Sequence, residues 1–270
     1  MKVSGNPFMD QGIRAYFAQG SILRTYLLVP GALGLILLAV WPRGSFESAL
    51  RAVPLADAFT VVAAGFLGFL LYLSVRYGSE DFSPDSLVQL QEYVTLTPVS
   101  LFSVVAGKAG FAVMHTLFLL ALGAPFLLAS LAVAGVALMQ AFLALAVIGA
   151  AGLAARMYGL LVLTIVGERA LTRDLILIPT IVLYLIVTLL FLPAVNPFSA
   201  VMSLSPRNAA GSLRQAVGGV SLSGFSALIN LGVALLLAGA VFAVLHGTRR
   251  RARAAREAEA KNASGKGPDA

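Results

Sequence analysis

"AGFAVMHTLFLLALGAPFLLASLAVAGVALMQAFLALAVIGAAGLAA" occupies residues 109–155, and none of its 47 residues carries a charge. As one helix it would extend about 70 Å, roughly twice the thickness of a bilayer core. It therefore has to fold back on itself. The turn belongs near Gly135, whose nearest polar side chain is Gln140. This predicts one membrane helix over 110–134 and a second over 137–166.

Charges mark the other spans. Eighteen uncharged residues separate Arg24 from Arg43, and eighteen more separate Asp57 from Arg76. Each run just reaches the roughly 20 residues that a helix needs to cross a bilayer. Two later runs, 175–192 and 225–246, complete a set of six. The composition agrees: 59% of the residues are hydrophobic and 11% are charged. A soluble domain carries about 25% charged residues. Mean hydropathy is +0.91. The expected fold class is all-α, a polytopic membrane protein with six transmembrane helices.

An even number of spans puts both termini on one side. Fourteen Lys and Arg residues fall on that side and four (Arg43, Arg51, Arg207 and Arg214) on the other. Positive residues favour the cytoplasmic face, so both termini are expected to be cytoplasmic. The net charge of +7 is concentrated rather than spread over a face, with seven of the 19 basic residues in the last 22 positions. That reads as a membrane-flanking basic tail and not as a nucleic-acid surface. Residues 1–24 lack the sustained apolar region of a signal peptide. They place Phe8, Met9, Ile13, Tyr16 and Phe17 largely on one helical face, which suits a helix lying in the membrane interface. The expected organisation is this interfacial helix (1–24), a transmembrane domain (25–246) and a basic tail (247–270), disordered after Lys261. Within the transmembrane domain, 76–108 is a cytoplasmic segment. The segment 194–224 is expected to dip into the outer leaflet as short helices.

Little catalytic chemistry is present. Cysteine is absent, which excludes a disulfide framework or a thiolate site. His115 and His246 have no second histidine or carboxylate at ligand spacing in their own helices. A lone membrane histidine of this kind reads as a hydrogen-bonded structural residue. "SLSG" at 221–224 lacks the first glycine of a GxSG serine motif, and no GxxxxGK[ST] phosphate loop occurs. Arg156 is the one ionisable residue deep in a span, about 15 Å from the end of its helix. Facing lipid it would be costly, so it should face a cavity or a partner, contacting an anionic substrate or a subunit interface. The alternative is that it snorkels to the surface. Ala146, Ala150 and Ala154 form a small-residue ridge on the same helix, which would permit close helix approach.

The segment 76–108 is the longest inner loop. Ser83 or Asp85 could cap a short helix carrying Leu87, Leu90 and Val94, and Pro98 ends it. Ser100 can cap the next helix, which runs over Lys108 into the membrane. Here the sequence resembles multi-pass permeases of the ABC-2 type. The family's acidic helix followed by "LLLTPLSP..IL.GK" is matched by Glu92, "VTLTPVS" at 94–100, Val104, Val105, Gly107 and Lys108. A leucine-rich span with a proline midway follows, here with Pro125. "NPFMDQGIR" at 6–14 is similar to "NPILLKELR", with Gly12 in place of a glutamate. "GLLVLTIVGER" at 159–169 is similar to "GLLLSALFRR", and "NPFSAVMSL" at 196–204 to "NPFLALLSL".

The resemblance implies the membrane subunit of an ATP-driven exporter in a bacterial plasma membrane, with no enzymatic site of its own. Two permease subunits would pair, identical or different, with two copies of a separate ATPase that holds ATP and Mg. Carried over by position, the docking face for the ATPase would be Glu92, Thr95, Leu96, Thr97, Pro98 and Ser100, with Lys108 as an interface anchor. A membrane scaffold or assembly factor without transport is the alternative reading.

Overall fold

The computed structural model describes residues 6–10, 13, 21–41, 55–80, 100–166, 170–204 and 221–265. Among them every regular element is helical. The elements are α1 (Ser21–Val40), α2 (Leu55–Glu80), α3 (Leu101–Ala134), α4 (Leu138–Val166), α5 (Ala170–Phe191), α6 (Pro197–Met202) and α7 (Leu222–Gly265). A further helical turn covers residues 7–10. Five helices, α2, α3, α4, α5 and α7, are long and apolar enough to cross a membrane. The apolar part described for α1, Tyr26–Val40, is shorter. The chain is thus a multi-pass helical membrane protein.

The charge-free stretch folds back where its glycine stands. Gly135 ends α3 with φ 64° and ψ 31°, the left-handed conformation that a side chain disfavours. Its N–H and that of Val136 both reach the Leu131 carbonyl. Only three residues separate α3 from α4. α3 begins earlier than the hydropathy boundary, at Leu101. Its 34 residues span about 51 Å. A bilayer core is about 30 Å thick, so α3 is longer than a perpendicular crossing needs.

α4 lies at the centre and packs against α2, α3, α5, α6 and α7. Apart from Gln140 and Arg156 its residues are apolar or small on all sides, as a helix enclosed by neighbours requires. Phe59, Phe66, Leu67 and Leu70 of α2 fill the core beside Val147, Ile148 and Ala151 of α4. The closest approach is not made by the alanine ridge: Ala146 is exposed and Ala150 half-buried. Glycines make it instead. A Cβ on Gly159 would lie 2.5 Å from the Val75 carbonyl oxygen and 3.0 Å from the Ser79 nitrogen. On the other side, a Cβ on Gly78 would collide with the Arg156 carbonyl oxygen. The two backbones meet there, and a backbone cannot swing aside as a side chain can. α5, by contrast, is peripheral. Leu183, Leu190 and Phe191 are more than half exposed, as suits lipid-facing positions.

Two short helical segments are pinned to spans by the same device. Asn196 caps α6, its Oδ1 accepting from the Phe198 and Ser199 N–H groups at 2.8 and 3.1 Å. Its Nδ2 donates to the Leu185 carbonyl and Thr188 Oγ1 of α5, both at 2.8 Å. Asn6 repeats the pattern at the other end of the bundle. Its Oδ1 accepts from Phe8 N–H at 3.0 Å, and its Nδ2 donates to the Ser103 carbonyl of α3 at 2.8 Å. In both cases Asn-Pro-Phe supplies a cap, a first-turn proline and an aromatic anchor. Within 194–224 the described residues contain one short helix, α6, while 205–220 lie outside the described residues. The tail helix runs on to Gly265, past Lys261 where disorder was expected. No proline interrupts it before Pro268.

Replacing Gly159 by alanine is expected to destabilise the protein by about 1–3 kcal/mol, because α2 and α4 must separate. Gly232→Ala on α7, where an added Cβ meets nothing within 4 Å, is expected to be neutral or to stabilise by up to about 1 kcal/mol. Thermal unfolding of the detergent-solubilised variants checks both.

Candidate functional site

Of the residues expected to dock a partner, Glu92, Thr95, Leu96, Thr97 and Pro98 lie outside the described residues. Ser100 and Lys108 are described. Ser100 occupies the N-cap position of α3 with extended backbone (φ −65°, ψ 122°). The position matches the expectation, but the side chain makes no capping hydrogen bond. It is exposed, where water can satisfy the first-turn N–H groups.

The foot of α3 is enclosed on several sides. Phe8 packs with Leu101 and Val104 of α3, Leu160 and Leu163 of α4, and Val241 and Leu245 of α7. Gly107 leaves room for this contact, since a Cβ there would lie 2.8 Å from the Phe8 Cβ. The amino-terminal turn, α3, α4 and α7 are thus locked together directly beneath Ser100.

One to two turns further along α3 lies a polar centre. Arg156 of α4 is 4% exposed and His115 of α3 is 2% exposed. A guanidinium N–H of Arg156 donates to His115 Nδ1. Guanidinium has no acceptor, so Nδ1 must carry the lone pair, which leaves the ring proton on Nε2 and the ring neutral in this pairing. The guanidinium carbon stands 5.1 Å from the Phe111 ring centroid. Phe111 stacks along His115 at 6.1 Å, and Tyr77 of α2 meets the same imidazole edge-on at 5.1 Å. A buried cation is stabilised here by an aromatic face and a ring nitrogen, both effective in a dry environment. Lys108 is half-buried one helical stretch away. It shares a small void of about 20 Å³ with Arg156, Tyr77 and Gly78. The space is about that of one water molecule.

Arg156 therefore faces the bundle interior, and it does not snorkel. It ties α4 to α3 within one chain. Two larger grooves flank α4. One, of about 260 Å³, lies among α4, α5 and α7, and the other, of about 510 Å³, among α3, α4 and α7; neither is lined by a charged side chain.

Sequence reasoning missed the His115–Arg156 partnership by searching for partners only within each histidine's own helix. The signal was available. His115 lies 20 residues before Gly135 and Arg156 lies 21 after it. In an antiparallel hairpin, residues equidistant from the turn stand at the same level. Comparison with family models, with curated proteins and with solved structures gives no match for this chain.

Arg156→Met and His115→Leu are each expected to cost about 1–3 kcal/mol, because each strands a buried polar partner. The double variant is expected to lose less than the sum of the two, by about 0.5–3 kcal/mol. Chemical or thermal unfolding of the four proteins measures this coupling, and strict additivity would contradict the contact.

Proposed function

We propose that the chain is the membrane-spanning permease subunit of an ATP-binding-cassette exporter of the ABC-2 type. In this reading α1 to α5 and α7 are six spans, with both termini in the cytoplasm of a bacterial cell. Two permease subunits flank the conduit. A separate ATPase, carrying ATP and Mg, docks on the cytoplasmic segment between α2 and α3.

The observation that carries the reading is mechanical. α3 runs without a break from Ser100, at the edge of the docking segment, to His115. That is about 22 Å along the helix axis. At His115 the helix is joined to α4 through Arg156 and to α2 through Tyr77. A displacement delivered at Ser100 would pass into three spans at once. The Asn6–Ser103 contact would carry the amino-terminal turn along with them. Closure of an ATPase dimer is the kind of motion such a lever suits. The sequence resemblance around "VTLTPVS" supplies the family, and the continuity of α3 supplies a physical route.

The chain contains no cysteine, so single-cysteine chemistry is clean. A Thr97→Cys variant co-expressed with the proposed partner ATPase is expected to crosslink to that ATPase, with a yield that changes between nucleotide-free and ATP-bound states. No adduct in any nucleotide state would count against the proposal and favour a scaffold without transport.

A further inference from the structure

α7 does not stop at the membrane. It continues without a break from Leu222 to Gly265. Thr248 Oγ1 donates to the Val244 carbonyl at 3.0 Å, which holds the helix together through Gly247. Exposed apolar side chains, Leu235, Leu236 and Phe242, give way to Arg249, Arg250, Arg251, Arg253 and Arg256. No acidic residue lies between His246 and Arg256. From Phe242 to Arg249 the helix rises about 10 Å, and from Arg249 to Arg256 about 10 Å more. The polar layer on each side of a bilayer is about 5–8 Å thick. The arginines therefore begin at headgroup level, and their long side chains reach back toward it.

Their angular placement separates two kinds of partner. At 100° per residue, Arg249, Arg253 and Arg256 share one face, Arg250 lies about 100° from Arg249, and Arg251 about 200° from it. Arg250, Arg251, Arg253 and Arg256 are exposed. A protein docking on this helix would meet one face. A layer that surrounds the helix meets all of them.

We propose that this arginine collar is a binding site for the phosphate groups of anionic lipids in the leaflet where α7 leaves the membrane. Arginine forks match phosphate oxygens, and clustered cations beside a span attract an anionic surface. Val241 and Leu245 of α7 pack against Leu101 and Val104 at the foot of α3. The bound lipids would thus lie beside the foot of α3. The collar does not depend on the exporter reading, because it needs only a membrane and the continuous helix.

The test uses the full chain reconstituted in phosphatidylcholine vesicles containing a minor share of phosphatidylglycerol. After mild detergent extraction, native mass spectrometry counts the retained lipids. Retained phosphatidylglycerol is expected to be enriched about fivefold or more over its share in the vesicles, and the enrichment should fall as salt is raised. Replacing all five arginines by glutamine should abolish the enrichment, with helix content unchanged by circular dichroism. Arg249→Gln, Arg253→Gln and Arg256→Gln together should lower it in part, and so should Arg250→Gln with Arg251→Gln. No enrichment in the unaltered chain, or enrichment that survives the fivefold variant, overturns the proposal. A dependence on the first face alone overturns the surrounding-lipid geometry in favour of a one-sided protein partner. ATPase capture plays no part in the readout, so failure of the exporter reading and failure of the collar are told apart.

Discussion

A guanidinium held in a hydrocarbon layer must be solvated by protein, and that requirement organises the centre of this bundle. Arg156 meets it with a histidine nitrogen and an aromatic face from α3. Those groups are within reach only because α3 and α4 are the two arms of one tight hairpin. α2 completes the enclosure through Tyr77, and it comes close enough only because Gly78 and Gly159 let two backbones touch at the same level. A side chain at either glycine would open the wall around the charge. The buried cation, the hairpin turn and the glycine crossing are thus one interdependent unit.

The periphery follows a different logic. α5 packs mainly on α4 and presents most of its girth outward. Short helices at the two ends of the bundle are fixed by Asn-Pro-Phe, which starts each of them and hydrogen-bonds a neighbouring span. Each asparagine satisfies its own helix terminus with one side of its amide and a neighbouring span with the other. In a membrane protein this matters, because an unmet backbone group near the hydrocarbon layer is costly. The amino-terminal pin sits at the foot of α3, beneath Ser100, so it reinforces the part of the molecule that the exporter reading makes a lever.

Much of this was legible in the sequence. A charge-free run twice the membrane's length has to turn, and a glycine marks where. The uncharged runs between charges marked four further helices, of which α2, α5 and α7 are long and apolar enough to cross a membrane. Packing was less legible. The alanine ridge at 146, 150 and 154 was an obvious candidate for close approach, but alanine is so common in this chain that its spacing carries little information. Gly78 and Gly159 lie on different helices, and nothing local pairs them. Ser100 was recognised as a cap position, yet its exposure lets water do the capping. The tail looked polar enough to be disordered beyond Lys261, but alanines and the absence of proline let the helix of a stable span propagate into it. The docking roles proposed for residues 92–100 and Lys108 rest on family resemblance alone, Ser100 and Lys108 included.

The claim that most depends on one fact is that the segment before α3 faces the cytoplasm, where an ATPase could reach it. Single cysteines placed at Ser83 and Ser100 of the cysteine-free chain can be labelled with a membrane-impermeant maleimide. Labelling in inside-out vesicles, with protection in intact cells or spheroplasts, is the expected result. Labelling of either position from the outer face of intact spheroplasts would contradict it, and with it the role of α3 as a transmitter of motion from a cytoplasmic partner.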